Sequence, residues 1–277
     1  MQVTSSVGYP PLMKLLPSDA VERATAILNE KKREEIVLDG FKLVREHVTN
    51  FISQRDNVTT HMDDILLTDA VSAGLSVFQL TLVSSEPFIS VRKVVAEMHH
   101  PFNKVELISF NSISKGKGDF KAGLRFTNEP TLRGGYMEIY NIDPAIRAVL
   151  VQLLSVKQCP NLMGQVGLYA MVNPPIVVEP SYTLFEREKL AIFSNRKIVA
   201  DKIVKFLNSI PGFYQPKLEA GFVVFPKITI PEKAVTLAVN AGTFPDVFYS
   251  LELLEATGIY VEVGSGYGLP SNQSHIK

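Results

Sequence analysis

The sequence predicts an α/β fold, because segments with strand character alternate along the chain with segments of helical periodicity. The chain has 277 residues, of which 46% are hydrophobic, and this is enough to bury a sizeable core. A proline-rich stretch at Asn173–Ser181 separates two parts that both alternate in this way. We therefore expect a larger domain over residues 1–172 and a smaller α/β domain, led by a linker helix, over residues 173–277.

In the first part, apolar residues recur at helical spacing in several segments, and short apolar runs mark the strands. The predicted helices are Asp19–Asn29, Phe41–Phe51, Ala73–Val83, Ser90–His100 and Asp143–Val156. The predicted strands are Ile65–Leu67, Val105–Phe110 and Tyr136–Asn141, and the predicted irregular loop is Asn111–Gly135. Ser18 stands before the first helix as its cap. The first strand leads through Thr68–Ser72 into a helix, and such a unit presents free backbone N–H groups to an anion.

The second part begins with a long helix, Tyr182–Leu207, which Pro211 and Gly212 end. Shorter elements follow as strand Ala220–Ile230, helix Phe244–Thr257 and strand Ile259–Val263. The end of the chain, Gly264–Lys277, is predicted to be a flexible tail because it is rich in glycine and polar residues.

The charge balance and the cysteine content exclude several classes of protein. The chain carries 28 basic and 28 acidic residues, and a formal net charge of zero argues against nucleic acid or an anionic membrane as a partner. Its one cysteine, Cys159, excludes a disulfide framework and a multi-cysteine metal site, and no metal is expected. We find neither the pattern of a signal peptide nor a run of about 18 apolar residues, so a soluble cytoplasmic protein is expected.

The segment Ser112–Gly116, which reads Ser-Ile-Ser-Lys-Gly, carries the strongest chemical signal because it directly follows a predicted strand. A serine with a lysine three residues later occurs in acyl-transfer enzymes, which also need Ser-Asp-Asn and Lys-Thr-Gly elements that this sequence lacks. The second chemistry is a lysine that forms a Schiff base with pyridoxal phosphate (PLP). There the preceding hydroxyls can bind the cofactor phosphate, and Arg133 could complete the anion site with its planar fork of donors. The spacing alone leaves both alternatives open, together with a third in which a loop lysine beside two serines has no chemical role.

Further motifs stand in a fixed order on both sides of this lysine. They are Arg55-Asp56, Leu67-Thr68-Asp69, Arg133-Gly-Gly-Tyr-Met-Glu138, Gly164-Gln165, Pro174-Pro175, Leu253-Leu254-Glu-Ala-Thr-Gly-Ile259 and Gly264-Ser-Gly-Tyr-Gly268. With Phe110-Asn-Ser-Ile-Ser-Lys-Gly116 between them, the sequence resembles the alanine aminotransferases, which are class I PLP-dependent aminotransferases of fold type I. The resemblance covers nearly the whole chain.

The resemblance implies a PLP enzyme that exchanges an amino group between L-alanine and 2-oxoglutarate. Its partners would be a small-molecule amino acid and a 2-oxo acid, and its usual assembly would be a homodimer. By matching position, Lys115 would be the Schiff-base lysine and the proton carrier. Ser112, Ser114 and Arg133 would bind the cofactor phosphate, and Ser72, at the start of a helix, would add a contact from its backbone N–H.

The sequence also departs from the family at several of these positions. Ala70 stands where the family has a glycine before the phosphate helix, and a Cβ there restricts the approach of the backbone to the phosphate. The loop between Lys115 and Arg133 is longer than the resemblance predicts. Lys277 stands where an arginine would bind the substrate carboxylate, and this exchange forfeits a bidentate contact.

A larger departure lies at Ser84–Pro87, which joins two regions that the family separates by on the order of a hundred residues. By the resemblance, the absent section carries the aspartate that keeps the pyridine nitrogen of the cofactor protonated. We therefore expect an incomplete large domain and a truncated small domain. Three hypotheses for the function stand beside one another: an active transaminase, a catalytically silent paralogue or fragment that acts as a dimer partner, and a Ser–Lys acyl-transfer enzyme.

Overall fold

The computed structural model describes residues 16–33, 39–69, 89–113, 132–155, 159–218, 223–270 and 273–277. The described chain divides into two compact units, of which the first ends at Ala191 and the second runs from Ile192 to Lys277. Within these ranges, none of the helices combines the length and the hydropathy that a bilayer-spanning helix needs.

The first unit combines helices with three strands over the residues described. Its helices are α1 (Ser18–Arg33), α2 (Lys42–Asp56), α3 (Val91–Glu97), α4 (Pro144–Ser155) and α5 (Leu162–Val172), and α6 (Tyr182–Asn208) begins in it. Its strands are β1 (Ile65–Thr68), β2 (Leu107–Ser112) and β3 (Gly135–Tyr140). Except for α5, these elements confirm the sequence predictions, with their ends displaced by a few residues.

Some predicted boundaries in the first unit are wrong. The helix predicted to reach His100 ends at Glu97, because the residue before Pro101 is restricted to extended backbone. The predicted loop 111–135 begins later, since Asn111 and Ser112 pair with β3. The predicted helix Ala73–Val83 lies outside the described residues.

Helix α5 was not predicted, because its residues are apolar on all sides and show no amphipathic period. A helix of this kind belongs to the interior of a protein, and most of its residues are buried. The start of α5 was readable, since Asn161 accepts a hydrogen bond from the Gly164 N–H at 2.7 Å as the helix cap.

The three strands form a sheet of order β1-β3-β2, in which β3 runs antiparallel to both neighbours. Ile65 of β1 and Ser109 of β2 both stand opposite Glu138 of β3. Because residues directly opposite one another share a face, this register sorts the side chains of all three strands onto the same two faces.

Both faces of the sheet are covered in the first unit. On one face the core consists of strand residues together with residues of α2 and α5, namely Ile65, Leu67, Tyr136, Val44, Val48, Ile52 and Leu168. On the other face the core comes from the strands and α4, namely Leu66, Met137, Ile139, Leu150, Val151 and Leu154. Each large side chain buried in this way stabilises the fold by about 1.5–3 kcal/mol. This packing fixes β3 from both sides and so fixes the positions of the strand ends.

A buried ion pair lies among these apolar groups. Arg92 Nε donates to Glu138 Oε1 at 3.0 Å, and the guanidinium lies 3.6 Å from the centroid of the Tyr140 ring. Ser90 caps α3 and donates to Asp56 Oδ2 at 2.6 Å. Burial raises the pKa of Glu138, and Arg92 opposes that rise. The pair therefore attaches α3 to the middle of β3 at a desolvation cost.

The second unit is mainly helical. It contains the rest of α6, the short strands β4 (Phe213–Tyr214) and β5 (Lys227–Ile228), then α7 (Glu232–Asn240), α8 (Pro245–Thr257) and a 3-10 turn at Gly264–Tyr267. Helix α8 confirms the predicted helix, with Pro245 in its first turn and Gly258 in the left-handed conformation after its last residue. Helix α7 was not predicted, because no element was assigned between Ile230 and Phe244.

Three predictions in the second unit are wrong. Of the described part of the strand predicted at 220–230, only Lys227 and Ile228 pair with another strand. The strand predicted at 259–263 is reduced to a single bridge between Val263 and Ile276. The tail is held rather than flexible, because Ile276 is buried and the Lys277 N–H donates to the Glu262 carbonyl at 2.8 Å.

Candidate functional site

The ends of three strands meet at one corner of the sheet in the first unit. Thr68 at the end of β1 and Ser112 at the end of β2 both stand opposite Gly135, the first residue of β3. The chain continues from β1 to Ser72 and from β2 to Lys115 within four residues. The corner is thus where the segments that carry the predicted cofactor residues leave the sheet.

Two of the five predicted cofactor residues lie within the described part of the chain. The structure places Ser112 at the end of β2 and Arg133 two residues before β3, so both belong to the same corner. Ser72, Ser114 and Lys115 lie outside the described residues, and their roles stay predictions.

One buried hydroxyl group at this corner is unsatisfied within the part of the chain that the structure describes. Thr68 Oγ1 is buried and has no hydrogen-bond partner among the described residues. It lies 3.1 Å from the position that a Cβ on Gly135 would take, and the Asn111 carbonyl oxygen lies 2.4 Å from that position. Ser112 is only 7% exposed. A buried hydroxyl normally finds a partner, so this one marks a place where a ligand can accept a hydrogen bond.

Arg133 has a backbone conformation that few non-glycine residues adopt. Its φ is 53°, in the left-handed region, so its surroundings must hold it there. The Asn161 Nδ2 donates to the Arg133 carbonyl at 2.9 Å and to the Leu132 carbonyl at 3.3 Å. Asn161 therefore fixes the direction in which the chain enters β3.

Two glycines allow the backbones of β3 and α5 to touch beside Arg133. A Cβ on Gly134 would lie 2.2 Å from the Gly164 carbonyl oxygen. A Cβ on Gly164 would lie 2.7 Å from the Arg133 carbonyl oxygen. Real Cβ atoms do not approach other atoms this closely, so only glycine fits either position. This contact brings the first turn of α5 against the corner.

Asn161 also connects the corner to β1. Its backbone N–H donates to Asp69 Oδ1 at 2.7 Å, and its Nδ2 donates to the same oxygen at 3.1 Å. Asp69 is the first residue after β1, at the entrance to the segment that carries Ser72. Sequence reasoning assigned no role to Asn161 or Asp69. An asparagine just before an apolar run is a helix-start signal that could have found the first of them.

Lys277, the predicted substrate-binding residue, lies in the second unit. Its Nζ lies 2.5 Å from Glu262 Oε2 and donates to Tyr267 Oη at 2.7 Å. The hydrogen bond with Glu262, followed by that with Tyr267, raises the pKa of Lys277. Lys277 is thus a stable cation that already contacts two polar side chains of the second unit.

Sequence comparison identifies the relatives of this chain. Alanine aminotransferase 2 of Xenopus laevis is 41% identical over 191 residues, which are 69% of this chain and 34% of that protein. Alanine aminotransferase 1 of Homo sapiens is 36% identical over 191 residues, which are 69% of this chain and 37% of that protein. The chain belongs to the alanine aminotransferase family. It spans about a third of the length of the curated relatives that it matches. No protein-family model matches the chain.

Solved structures place the aminotransferase chain in fold type I, as the sequence predicted. The alanine aminotransferase from Pyrococcus furiosus aligns with 92% of this chain and 81% of its own, at a TM-score of 0.60 and 16% identity. The aspartate aminotransferase from Rhizobium meliloti aligns with 94% of this chain and 83% of its own, at a TM-score of 0.59 and 14% identity. At these identities the comparison shows the fold.

The fold of the aminotransferase family implies PLP, and the strand corner fits the phosphate of that cofactor. Phosphate oxygens accept hydrogen bonds from hydroxyl groups, guanidinium groups and backbone N–H groups. Ser112 and the partnerless hydroxyl of Thr68 lie at this corner, and Arg133 lies two residues before Gly135 in the chain. These residue types can donate to a phosphate, so the corner fits that group.

Proposed function

We propose that the chain binds PLP at the corner of β1, β2 and β3 and transfers an amino group between L-alanine and 2-oxoglutarate. The observation that carries this proposal is the meeting of the strand ends. Ser112 lies there, opposite the start of β3, which follows Arg133 in the chain, together with the buried Thr68 hydroxyl, which has no hydrogen-bond partner among the described residues. The family of the chain supports the choice of substrates. We also propose that the protein is a cytoplasmic homodimer.

In this proposal the phosphate of PLP is bound by this chain's own donors. The Arg133 guanidinium forms a charge-assisted pair with the phosphate, which is about twice as strong as a neutral hydrogen bond. The hydroxyls of Ser112 and Ser114 and the backbone N–H of Ser72 complete the donor set. Asn161 holds the Arg133 backbone in its left-handed conformation, so the point from which the arginine side chain leaves the backbone is fixed before the phosphate arrives.

Lys115 is the catalytic residue of the proposal. When bound, PLP supplies an electron-withdrawing ring that stabilises negative charge on the substrate α-carbon. The Lys115 Nζ would hold the cofactor covalently; once the amino group of L-alanine has displaced it, the free amine would remove the proton from the α-carbon and move it onward. A positioned base of this kind contributes about a 10²- to 10⁴-fold rate acceleration. Lys277 binds the substrate carboxylate as a point charge.

One observation favours a second candidate function, a catalytically silent subunit that binds PLP and acts as a dimer partner. The Lys277 ammonium is already satisfied within the second unit, where it is paired with Glu262 and Tyr267. A silent subunit would keep the phosphate site and lose turnover.

The deciding experiment measures pyruvate formed from L-alanine and 2-oxoglutarate with saturating PLP. The wild-type chain is compared with Lys115→Ala and with Lys117→Ala, which removes a lysine two residues away as a matched control. The proposal predicts turnover that falls at least about a hundredfold in Lys115→Ala and persists in Lys117→Ala. Turnover that both variants retain contradicts it. PLP binding without turnover in any of the three establishes the silent subunit instead.

A further inference from the structure

In the second unit, three polar side chains form a closed group around the last residue of the chain. Lys277 Nζ lies 2.5 Å from Glu262 Oε2 and 2.7 Å from Tyr267 Oη. The Tyr267 hydroxyl in turn donates to the same Glu262 oxygen. The ammonium also lies 5.0 Å from the centroid of the Tyr267 ring. Each member therefore contacts both of the others.

The backbone holds this group in register. The Lys277 N–H donates to the Glu262 carbonyl at 2.8 Å, and the Glu262 N–H donates to the Lys277 carbonyl at 3.1 Å. This reciprocal pair places the two residues directly opposite one another, as in an antiparallel ladder. The contact between ammonium and carboxylate is thus set by the fold of the segment as well as by side-chain attraction.

The group remains accessible to a small molecule. The side chains of Lys277 and Glu262 are 29% and 44% exposed. The hydrogen bond from Lys277 to Glu262 is the main reason why the pKa of the lysine is raised. The lysine is therefore fully charged at neutral pH, but the adjacent carboxylate cancels its charge as an incoming anion meets it.

We propose that Glu262 is a positioning residue that competes with the substrate carboxylate for Lys277, so that a substrate binds this lysine only by displacing Glu262. The inference rests on the proposed function, in which Lys277 binds that carboxylate. It goes further by naming the chain's own residue that sets the affinity for carboxylate substrates. Glu262→Gln keeps the size of the side chain and removes its charge, so the Lys277 ammonium loses its side-chain carboxylate partner.

The expected size of the effect follows from the exposure of the pair. A partly exposed charge pair contributes little, because water and salt screen it. We expect Glu262→Gln to tighten carboxylate binding about fivefold, which is ~1 kcal/mol. The effect should appear in the KM for both substrates, with kcat unchanged, because the pair acts on binding alone.

The test uses the PLP-free chain and 2-oxoglutarate as the probe. The lysine ε-carbons are labelled with carbon-13, and the Lys277 signal is assigned by its loss in Lys277→Met. A titration followed by NMR gives the half-saturation concentration. The matched control is Glu255→Gln, which removes the same charge from an exposed position on α8 of the same unit. Thermal unfolding of each variant checks that the second unit stays folded.

The inference predicts a half-saturation concentration about fivefold lower in Glu262→Gln and unchanged in Glu255→Gln. It also predicts that the gain disappears in the Glu262→Gln/Lys277→Met double variant. A Glu262→Gln titration within twofold of wild type overturns the inference, and so does a gain that persists without Lys277. Because the readout needs neither PLP nor turnover, an inactive chain that shows the gain counts against the proposed function only.

Discussion

Replacing Gly134 by alanine should damage the proposed phosphate site through the backbone alone. A Cβ at this position would lie 2.2 Å from the Gly164 carbonyl oxygen, whereas ordinary contact begins at 3.4 Å, a shortfall of 1.2 Å. The obstacle is backbone on both sides, so β3 and α5 must separate. The carbonyl of Arg133 would then move away from Asn161 Nδ2, which donates to it at 2.9 Å.

The cost of this substitution can be estimated from its two parts. Overpacking costs about 1–3 kcal/mol, and the weakened hydrogen bond adds roughly 0.5–1.5 kcal/mol. We therefore expect Gly134→Ala to lower the free energy of unfolding by about 1.5–4.5 kcal/mol. Arg133, the proposed phosphate donor, would be displaced by about 1 Å. A displacement of this size can reduce function by up to about a hundredfold, so PLP affinity should fall by at least about tenfold.

The assay is a PLP titration followed by absorbance, together with urea unfolding followed by circular dichroism. The control is Gly266→Ala, because the nearest atom to a Cβ there is Val263 Cγ2 at 3.8 Å. Gly266→Ala should change neither quantity. A folded Gly134→Ala chain that binds PLP as tightly as wild type would refute the assignment of the corner as the phosphate site.

Three further predictions concern the contacts that support this corner. Asn161→Ser keeps a neutral acceptor for capping α5 but loses the Nδ2 donor to Asp69, Leu132 and Arg133. PLP titration should therefore show weaker binding, and urea unfolding should show a loss of about 0.5–1.5 kcal/mol; PLP binding as tight as wild type would contradict this. Arg92→Met leaves the buried Glu138 charge without its ion-pair partner and should lower the free energy of unfolding by about 3–5 kcal/mol. The double variant Arg92→Met/Glu138→Met should recover most of this loss. If urea unfolding shows that the losses of the two single variants add up in the double variant, the pairing is contradicted. Because burial raises the pKa of Glu138, the folded state holds the Glu138 proton more tightly than the unfolded state does. The free energy of unfolding should therefore fall as the pH rises from about 4.5, and Glu138→Gln should flatten this slope. A slope as steep in Glu138→Gln as in wild type would contradict the role of Glu138.

The first unit was largely predictable because its signals are local. Strand Ile65–Thr68 is a short apolar run, and helix Lys42–Asp56 has an apolar stripe with the period of a helix, so each needs only its own residues to be recognised. Helix Leu162–Val172 shows the limit of this reasoning. It is apolar on every side because protein surrounds it, and a pattern without a polar face carries no period.

The errors in the second unit have a different cause. The apolar run Ile259–Val263 has strand composition, but a strand also needs a neighbour, and only Val263 finds a bridge partner. The pairing of Glu262 with Lys277 depends on backbone contacts between residues 15 positions apart in the chain. Composition identifies residues suited to a strand, whereas the number of available partners decides whether one forms.

The residues of the candidate site also differ in whether local sequence reveals them. Ser112 and Arg133 were identified by their order around a lysine, and the register of β2 and β3 brings them to one corner. Asn161 and Asp69 were missed because their roles are contacts across 92 residues of sequence. The carboxylate beside Lys277 was missed for the same reason, since nothing in its local sequence shows that the tail returns to it.

The most direct test of the account is to locate the lysine to which PLP attaches. The chain is incubated with PLP, reduced with borohydride to fix the attachment, and digested for peptide mass analysis. We expect a single modified peptide containing Lys115 in wild type and in Lys117→Ala, and none in Lys115→Ala. Modification spread over many surface lysines, and unchanged in Lys115→Ala, would contradict it.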